Sequence, residues 1–378
     1  MNRNILQLRK DLGCSTRWVV KIGSSLVTKN GLGLNSKLIL NWASQISKLV
    51  SLKQQIVVVS SGSVAEGASN LGWTSRPLEL NLLQAAAAVG QIGLSQAWFQ
   101  SFLRHGVKAA QLLLTHDDFA DRTRYLNAKS TLMTLLDFPV IPIINENDTV
   151  ATSELTLGDN DKLAALVCNL IEADLLVVLT DQDGLMTNDP GTDPKARLVQ
   201  ESDVESSQLD SFAGKGGIWG RGGMVTKIEA ARLAARSATS TIIASGLKND
   251  ILLDISKGRE VGTLLFSDSE KITARKQWLG GLSSIKGSIV LDDGACIALL
   301  KKGGSILPVG IRNIRGNFHR GDLIEVLNKN STKIATGFSN YSSKECEQII
   351  GKSSSAIENI LGFSREPEVI HRDNLVLT

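Results

Sequence analysis

The stretch Trp18-Val-Val-Lys-Ile22, followed directly by Gly23-Ser-Ser25, is typical of a buried β-strand that ends in a tight turn. Its apolar residues occupy both faces of the strand, which is the pattern of a parallel sheet covered by helices on both sides. Similar runs recur along the chain, and longer amphipathic stretches separate them. The alternation from Arg17 to about Phe266 therefore predicts an α/β domain, a three-layer αβα sandwich with a largely parallel sheet.

The same patterns predict the remaining strands and helices. The other predicted strands are 55–60, 107–114, 139–144, 175–179 and 241–244. The predicted helices are 38–53, 79–104, 117–136, 161–172 and 224–237. A glycine-rich segment, 206–223, is predicted to be a long loop, and loops of that length in a compact domain are often functional.

The pattern changes after Ser267, where short alternating runs are separated by Gly, Asn and Asp turns. This texture predicts a small β-barrel or sandwich, with a short helix at 342–350. The predicted boundaries are a catalytic domain at 17–266, a linker at 267–282 and a C-terminal domain at 283–370. Residues 1–17 lack the apolar core of a secretory signal, so we expect a frayed extension there.

Composition narrows the class of protein. The 378 residues are 42% hydrophobic and 21% charged, with a formal net charge of +3, which excludes collagen-like, coiled-coil and wholly disordered chains. No apolar run is long enough to span a membrane. The four cysteines are far apart and form no C-x-x-C pair, which favours free thiols in a reducing compartment over disulfides or a zinc site. These features predict a cytoplasmic enzyme without membrane contact.

Ligands of open α/β sheets bind at the carboxyl ends of the strands, so the residues that follow each strand are the candidates. Lys21 interrupts an apolar strand just before a Gly-Ser-Ser turn. It could supply a charge for phosphate, or it could be an edge-strand lysine that reaches water. The second strand ends in Ser60-Ser61-Gly62-Ser63, which could hydrogen-bond a ligand or simply cap the next helix.

Two polar clusters follow the strand at 139–144. The first is Asn145-Glu-Asn-Asp148, and ten residues after Asp148 comes Gly158-Asp-Asn-Asp161. Residues 150–157 look like a hairpin that would bring the clusters together. Turns and a helix cap account for one or two of these seven polar side chains, not for the set. The remainder could bind the ammonium of an amino acid and organise a metal–phosphate centre.

Two further stretches are suited to a nucleotide. Thr180-Asp181 follows a strand, and Gly220-Arg-Gly-Gly-Met-Val-Thr-Lys227 opens a helix. Glycines at a helix N-terminus present free N–H groups to an anion, and Lys227 is one turn inside the helix. The alternative is a flexible loop with a surface lysine. A Walker A motif is absent, because Cys346 stands where the first glycine before Gly351-Lys-Ser353 would be needed.

Taken together, these motifs resemble the amino-acid kinase superfamily, and in particular the branch that phosphorylates glutamate. The resemblance covers roughly residues 17–370 and includes a C-terminal stretch similar to a PUA domain, from Asp292-Asp-Gly-Ala295 to Gly316-Asn-Phe-His-Arg-Gly-Asp322. It implies ATP-dependent phosphorylation of the γ-carboxylate of L-glutamate, the first step of proline biosynthesis, with ATP and Mg²⁺ as cofactors. One departure is Arg221, because relatives usually have a small polar residue before Gly-Gly-Met.

The resemblance also assigns roles to residues. Those implied to contact ATP are Lys21, Thr180, Asp181, Arg221, Gly222, Gly223, Met224, Val225, Thr226 and Lys227. Those implied to hold glutamate are Ser61, Asp148, Asn160 and Asn145. Lys21 and Lys227 would neutralise charge on the transferring phosphoryl group, and Asp161 would orient the lysines or bind the metal through water. A general base is not needed, because the attacking carboxylate is ionised at pH 7.

Other interpretations stay open. The chain could phosphorylate aspartate, N-acetylglutamate, carbamate or a nucleoside monophosphate instead, or it could be an inactive regulator on the same fold. The resemblance further implies a dimer or tetramer and feedback inhibition by proline. RNA is a candidate partner of the PUA-like stretch, although from Gly281 onward 12 Lys+Arg against 10 Asp+Glu leave a surplus of only two cations.

Overall fold

The computed structural model describes residues 5–29, 31–150, 160–188, 193–212, 223–267, 285–364 and 366–377. Its described residues form two compact units. The first contains residues up to 119 and from 128 to 267, and the second contains residues 120–127 and those from 285 onward.

The first unit contains a sheet of the expected kind. Its strands in chain order are β1 (Arg17–Ile22), β2 (Thr28–Lys29), β3 (Leu32–Leu34), β4 (Gln55–Ser60), β5 (Lys108–Leu114), β6 (Val140–Glu146), β7 (Leu175–Thr180), β8 (Glu201–Asp203), β9 (Ser240–Ser245) and β10 (Thr263–Phe266). Within the described residues the main sheet has eight strands in the order β5-β6-β4-β1-β7-β9-β10-β8. Strand β10 is antiparallel to β9, and the other neighbours are parallel.

Helices cover the sheet, as the buried strands require. Those before residue 268 are α1 (Ile5–Gly13), α2 (Ser24–Val27), α3 (Ser36–Ser51), α4 (Ser63–Asn70), α5 (Leu80–Leu103), α6 (His116–Ala120), α7 (Arg122–Asp137), α8 (Asn160–Ile171), α9 (Gln208–Phe212), α10 (Met224–Ala235) and α11 (Ile251–Ser256). This arrangement confirms the predicted α/β class with a mostly parallel sheet.

Strand β1 lies in the middle of the sheet, between β4 and β7. Its alternate residues Trp18, Val20 and Ile22 pack into one core with helices α3, α5 and α11. Side chains of neighbouring residues on a strand point to opposite faces, so Lys21 lies on the other face. Helices α8 and α10 pack on that second face, against β1, β7 and β9.

Helices α4 and α5 cross at very short range because glycines lie at the crossing. A Cβ atom added at Gly67 would lie 1.7 Å from the carbonyl oxygen of Ala86, and one added at Gly90 would lie 1.9 Å from that of Ser63. Any larger residue would force the helices apart. The crossing holds the start of α4, directly after β4, at the carboxyl edge of the sheet.

The second unit is a separate sheet with its own core. Its elements are β11 (Gly287–Leu291), α12 (Asp293–Lys302), β12 (Ile311–Gly316), β13 (Leu323–Leu327), β14 (Lys333–Phe338), α13 (Ser343–Ile349), α14 (Ile357–Leu361) and β15 (Leu375–Leu377), with short 3-10 turns at 308–310, 354–356 and 372–374. Among the residues that the structure describes, five strands pair in the order β12-β11-β13-β14-β15. Ile289, Phe318, Val326 and Tyr341 are among its buried residues.

Several local predictions were wrong. The N-terminal segment is not frayed over residues 5–13, because α1 forms there and buries Arg9. The predicted helix at 117–136 is interrupted at Asp121 and becomes α6 and α7. The predicted loop at 206–223 contains α9, and the strand at 139–144 extends to Glu146.

Some predicted features fall outside the described residues. These are the hairpin at 150–157 beyond its first residue, most of the linker at 267–282, and Arg221 and Gly222 of the glycine-rich segment. Among the described residues, no helix combines the length and apolar character needed to cross a bilayer.

Candidate functional site

Asp161 lies at the centre of a buried cluster of charges at the carboxyl edge of the sheet. It is fully buried in the first turn of α8 and forms ion pairs with Lys21 and with Lys227, the latter at 3.0 Å between Nζ and Oδ2. The hydroxyl of Thr226 lies 3.2 Å from the same Oδ2. The structure therefore brings together the three residues that the sequence predicted to be catalytic.

The cluster forms because three elements converge on one face of the sheet. Lys21 lies on β1 and projects toward the α8–α10 layer, since its neighbours Val20 and Ile22 belong to the opposite core. Asp161 begins α8, and Lys227 lies one turn into α10. Both lysines are buried, with 4% and 6% exposure, which is rare for lysine unless it is paired.

The two lysines control the ionisation of Asp161. Burial raises the pKa of Asp161, but the charges and hydrogen bonds of the two lysines outweigh burial, so its pKa lies well below the usual range for aspartate. Asp161 is therefore ionised, and its carboxylate pairs with both ammonium groups. Two ammonium groups held at one edge of the sheet are suited to a phosphate-bearing ligand.

A second cluster, of amides and hydroxyls, lies beside the first because Asn160 precedes Asp161. The side-chain nitrogen of Asn160 donates to the main-chain oxygen of Ser60 at 2.7 Å, to Oγ of Ser61 at 3.1 Å and to Oδ1 of Asn145 at 2.8 Å. All four residues are buried. The structure thus joins three of the residues predicted to hold the substrate, and it links the ends of β4 and β6 to the start of α8.

Asp148 lies close to the start of α4. Its Oδ2 accepts a hydrogen bond from the hydroxyl of Ser63 at 2.8 Å. Burial raises the pKa of Asp148, and the Ser63 hydrogen bond and the positive charge of Arg76 oppose that shift. A half-buried carboxylate of this kind is suited to an ammonium group, which would repay its desolvation.

Glu146 is a further buried carboxyl. It follows Asn145, the residue that β6 contributes to the amide cluster. It is 5% exposed, and burial, followed by the negative charge of Asp148, raises its pKa to about 7. Successive strand residues face opposite sides of the sheet, so Glu146 and Asn145 do not share a face. Glu146 accordingly senses the charge at Asp148 without joining the amide cluster.

The turns after β1, β7 and β9 lie side by side. The N–H of Gly23 donates to the carbonyl of Leu179 at 3.1 Å, and that of Gly246 donates to the carbonyl of Thr180 at 2.8 Å. Thr180 is buried and donates through its hydroxyl to Asp181 at 3.0 Å, while Asp181 is exposed. The two predicted nucleotide residues thus follow the strand that lies between β1, which carries Lys21, and β9.

Gly223 is the N-cap of α10, and the residues Met224, Val225 and Thr226 form its first turn. The hydroxyl of Thr226 also donates to the carbonyl of Gly223 at 2.8 Å. The N–H groups at the start of a helix are not used within the helix and can bind an anion. This helix start lies next to Lys227 and Asp161, so it adds to the same positively charged region.

The two clusters together offer a complementary set of groups. The lysine cluster, made of Lys21, Asp161 and Lys227, attracts anions. The amide cluster, made of Ser60, Ser61, Asn145 and Asn160, offers donors and carbonyl acceptors, and Asp148 adds a carboxylate acceptor. The arrangement is chemically suited to bring a zwitterionic small molecule next to a phosphate-bearing one.

Sequence reasoning missed three residues in this region. Gln91, on α5, accepts a hydrogen bond from the side-chain nitrogen of Asn145 at 2.7 Å. Ser63 binds Asp148, and Glu146 is a buried acid of unusual pKa. Glu146 and Ser63 lie inside motifs that the sequence displayed, whereas nothing local marks Gln91 in an alanine-rich helix.

Comparison with known proteins supports this interpretation of the fold and the motifs. Residues 16–245 match the amino acid kinase family, and residues 287–361 match the PUA domain. The first match spans more than half of the chain. The protein belongs to the amino acid kinase family and carries a PUA domain.

Relatives that match nearly the full chain indicate which branch of the amino acid kinase family it belongs to. It is 52% identical over 371 residues to the glutamate 5-kinase of Pseudomonas entomophila, covering 98% of this chain and 100% of that protein. It is also 52% identical over 362 residues to the glutamate 5-kinase of Pseudomonas savastanoi pv. phaseolicola, covering 96% and 98%. Within the family, the chain therefore groups with the glutamate 5-kinases.

A solved structure of the UMP kinase from Bacillus anthracis superposes with a TM-score of 0.48 and 16% sequence identity, covering 67% of this chain and 97% of that one.

Proposed function

We propose that this protein transfers the γ-phosphoryl group of ATP to the γ-carboxylate of L-glutamate, giving ADP and L-glutamyl 5-phosphate, the first step of proline biosynthesis. The observation that carries the proposal is the ion cluster of Lys21, Asp161 and Lys227 directly beside the amide cluster at Asn160. The near full-length similarity to glutamate 5-kinases selects the substrate.

Glutamate is proposed to bind at the amide cluster. Asp148 would accept from its ammonium group, which compensates the buried carboxylate. Ser61 already accepts from Asn160, so its own hydroxyl proton is available to a substrate carboxylate. Asn145 supports Asn160 and completes the set.

The chemistry then depends mainly on position and charge. The γ-carboxylate is ionised near neutral pH, so the reaction needs no general base. The barrier arises from bringing one anion to another, and phosphoryl transfer is accelerated by alignment and charge neutralisation. Lys21 on β1 and Lys227 on α10 approach from different elements, so they can contact different oxygens of the transferring group.

Asp161 is proposed to orient these lysines. Both of its oxygens already face ammonium groups, since Lys21 pairs with Oδ1 and Lys227 with Oδ2. This donor chemistry fits a positioning role and does not fit direct ligation of a metal. Mg²⁺ is accordingly proposed to enter as part of the substrate Mg-ATP, where it neutralises phosphate charge.

ATP is proposed to lie over the turns that follow β7 and β9 and at the start of α10. Thr180 and Asp181 would contact the nucleoside side, and Gly223 to Lys227 would contact the phosphates through main-chain N–H groups and the ammonium. Arg221 and Gly222 stay predicted members of this site.

The test is ADP release by purified protein with Mg-ATP and hydroxylamine, which traps an acyl phosphate as a hydroxamate. The substrate panel is glutamate, aspartate, N-acetylglutamate, carbamate and UMP. Glutamate-dependent ADP release with matching hydroxamate is expected. Activity on another member of the panel would replace the substrate, and no activity on any of them would contradict the proposal. Adding proline to the glutamate reaction tests the proposed feedback inhibition.

Self-association is a second part of the proposal. Strand β5 lies at one end of the sheet order, and α5 beside it exposes Ile92 (73%), Phe99 and Leu103. These spacings place the three side chains on one side of the helix, and apolar groups clustered on a surface favour association. A dimer or tetramer is expected by light scattering, and Ile92→Lys with Phe99→Lys should shift it toward monomer.

We further propose a cytoplasmic location. The four cysteines are all free thiols, which suits a reducing compartment.

RNA binding by the PUA domain stays a prediction. The exposed Arg312 of β12 is already paired with Asp292 at 2.9 Å. A gel shift at low and moderate salt tests it, because phosphate contacts weaken steeply with salt.

A further inference from the structure

Gln91 lies on α5, is not among the residues predicted to hold a substrate, and bonds directly to one member of the amide cluster, Asn145. Asn145 donates to Oε1 of Gln91 at 2.7 Å and accepts from Asn160 at 2.8 Å. Asn145 and Asn160 are buried, and Gln91 is half-buried. A continuous row of three side-chain amides thus runs from α5 to the first residue of α8.

The directions of the hydrogen bonds in this row are constrained at both ends, and a main-chain group constrains the first end. The carbonyl oxygen of Ser60 can only accept, and it lies 2.7 Å from the side chain of Asn160, which must therefore present its nitrogen there. That nitrogen also faces Asn145, which must present its oxygen. The nitrogen of Asn145 is then turned to α5, where it requires an acceptor.

Gln91 supplies that acceptor, and its own orientation is fixed by Ser95. The hydroxyl of Ser95 donates to the main-chain carbonyl of Gln91 at 2.8 Å, so its oxygen is left to accept from Nε2 of Gln91, at 3.1 Å. This leaves Oε1 of Gln91 for Asn145. The row is consistent in direction from Ser60 to Ser95.

The consequence for the site concerns the remaining oxygen of Asn160. Its nitrogen is used by protein acceptors, and within the part of the chain that the structure describes no hydrogen bond to its Oδ1 is formed. A fixed amide of this kind presents an acceptor, which favours an ammonium or another donor on the substrate. If the amide rotated, it would present a donor at the same place.

We propose that Gln91 is a positioning residue that, through Asn145, fixes the orientation of the Asn160 amide and thereby the affinity for the amino-acid substrate. The inference rests on the proposed function of this site. Without Gln91, the buried nitrogen of Asn145 has no acceptor on α5, and an unsatisfied buried donor is costly enough to drive rotation of the amide. Rotation of the Asn145 amide would place its nitrogen against the nitrogen of Asn160, so that two donors face each other and Asn160 is driven to rotate as well.

The experiment compares steady-state constants of three variants. Gln91→Met keeps the length of the side chain but removes the acceptor, and it is expected to raise KM for glutamate about tenfold with kcat and KM for Mg-ATP changed less than about twofold. Gln91→Glu keeps an oxygen for Asn145 and a second oxygen for the hydroxyl of Ser95, so it should restore most of the affinity. Gln100→Met, on the exposed side of the same helix, is the matched control and should leave all constants unchanged.

A double-mutant cycle separates positioning from a general effect on folding. Asn145→Leu removes the residue through which Gln91 acts, so adding Gln91→Met to it should have no further effect on KM for glutamate. Independent, multiplicative effects would overturn the proposal, as would equal losses for both substrates or a Gln91→Met enzyme with unchanged KM. An inactive wild-type enzyme would instead refute the proposed function, so the two failures are distinguishable.

Discussion

Lys227 donates to Oδ2 of Asp161 at 3.0 Å and joins α10 to the start of α8, although 66 positions separate the two residues in the sequence. Lys227 is 6% exposed and Asp161 is not exposed at all. Lys21 pairs with the other oxygen of the same carboxylate, so Asp161 holds both lysines at the carboxyl edge of the sheet. Two ammonium groups held in this way are in place for phosphate before any nucleotide binds.

Removing either lysine should reduce turnover far more than it reduces glutamate affinity. Lys21→Ala and Lys227→Ala are each expected to lower kcat by about 100-fold or more, since a buried donor aimed at the developing charge contributes mainly to the transition state. KM for glutamate should change less than about threefold. Steady-state kinetics at saturating Mg-ATP measure both constants. The exposed Lys48→Ala is the control for loss of a positive charge, and a Lys21→Ala enzyme with nearly normal kcat would rule out this mechanism.

Asp161→Asn separates orientation of the lysines from binding of a metal. The variant keeps the shape of the side chain but removes the negative charge that pairs with both ammonium groups, so the free energy of unfolding should fall by about 3 kcal/mol. ATP affinity should be kept or increased, because its phosphates replace the lost carboxylate. We expect kcat to fall about 100-fold, since the carboxylate no longer holds the two ammonium groups in position for the transferring phosphoryl group. Titration calorimetry measures the dissociation constant of Mg-ATP for this variant. A tenfold weaker affinity than in the wild type would indicate that Asp161 holds the metal.

Asp148→Asn tests the proposed contact with the substrate ammonium. Asparagine can still accept from the hydroxyl of Ser63, so the change removes the charge and little else. Loss of a charge-assisted hydrogen bond should raise KM for glutamate about 10- to 100-fold, with a smaller effect on kcat. The exposed Asp137→Asn serves as the control. A variant whose kcat falls while KM is unchanged would place Asp148 in the chemistry and not in binding.

The sequence predicted the parts of the site that are local. A lysine in an apolar strand, and polar clusters near the ends of strands, marked Lys21, Asn160 and Asp161 as candidates, because parallel strands place their carboxyl ends at one edge. The resemblance to amino-acid kinases then assigned their roles. The structure confirms the α/β class that this reasoning required. It also brings Lys227 to Asp161, as the resemblance implied.

The parts that the sequence did not reveal depend on contacts between distant segments. Helix α4 was not predicted, because Gly67 weakens the helical pattern. Only the structure shows that a glycine is needed there to let α4 approach α5 closely. Gln91 is one polar residue in a long alanine-rich helix, and only the packing of α5 against β6 places it beside Asn145. Helix α1 was missed for the same reason, since Arg9 becomes buried through the carbonyls of Gln200 and Val261.

Glu146 makes the free energy of unfolding depend on pH, and a single substitution is expected to remove that contribution. Its pKa is about 7 in the folded protein, against an ordinary value of 4.5, so between these pH values the folded state holds a proton that the unfolded state has lost. Stability contributed by the protonated carboxyl is therefore complete below about pH 4.5 and is lost as pH rises to about 7.

Glu146→Gln cannot lose that proton, so its stability relative to wild type should increase with pH and level off above about pH 7. With allowance for solvent screening at the edge of the sheet, we expect a relative gain of about 2 kcal/mol between pH 5 and pH 8. Urea unfolding at four pH values in this range measures it, with the exposed Glu205→Gln as a control that should follow wild type. A gain that is the same at every pH would mean that burial at Glu146 is tolerated with the carboxylate ionised, and that Asp148 does not repel it.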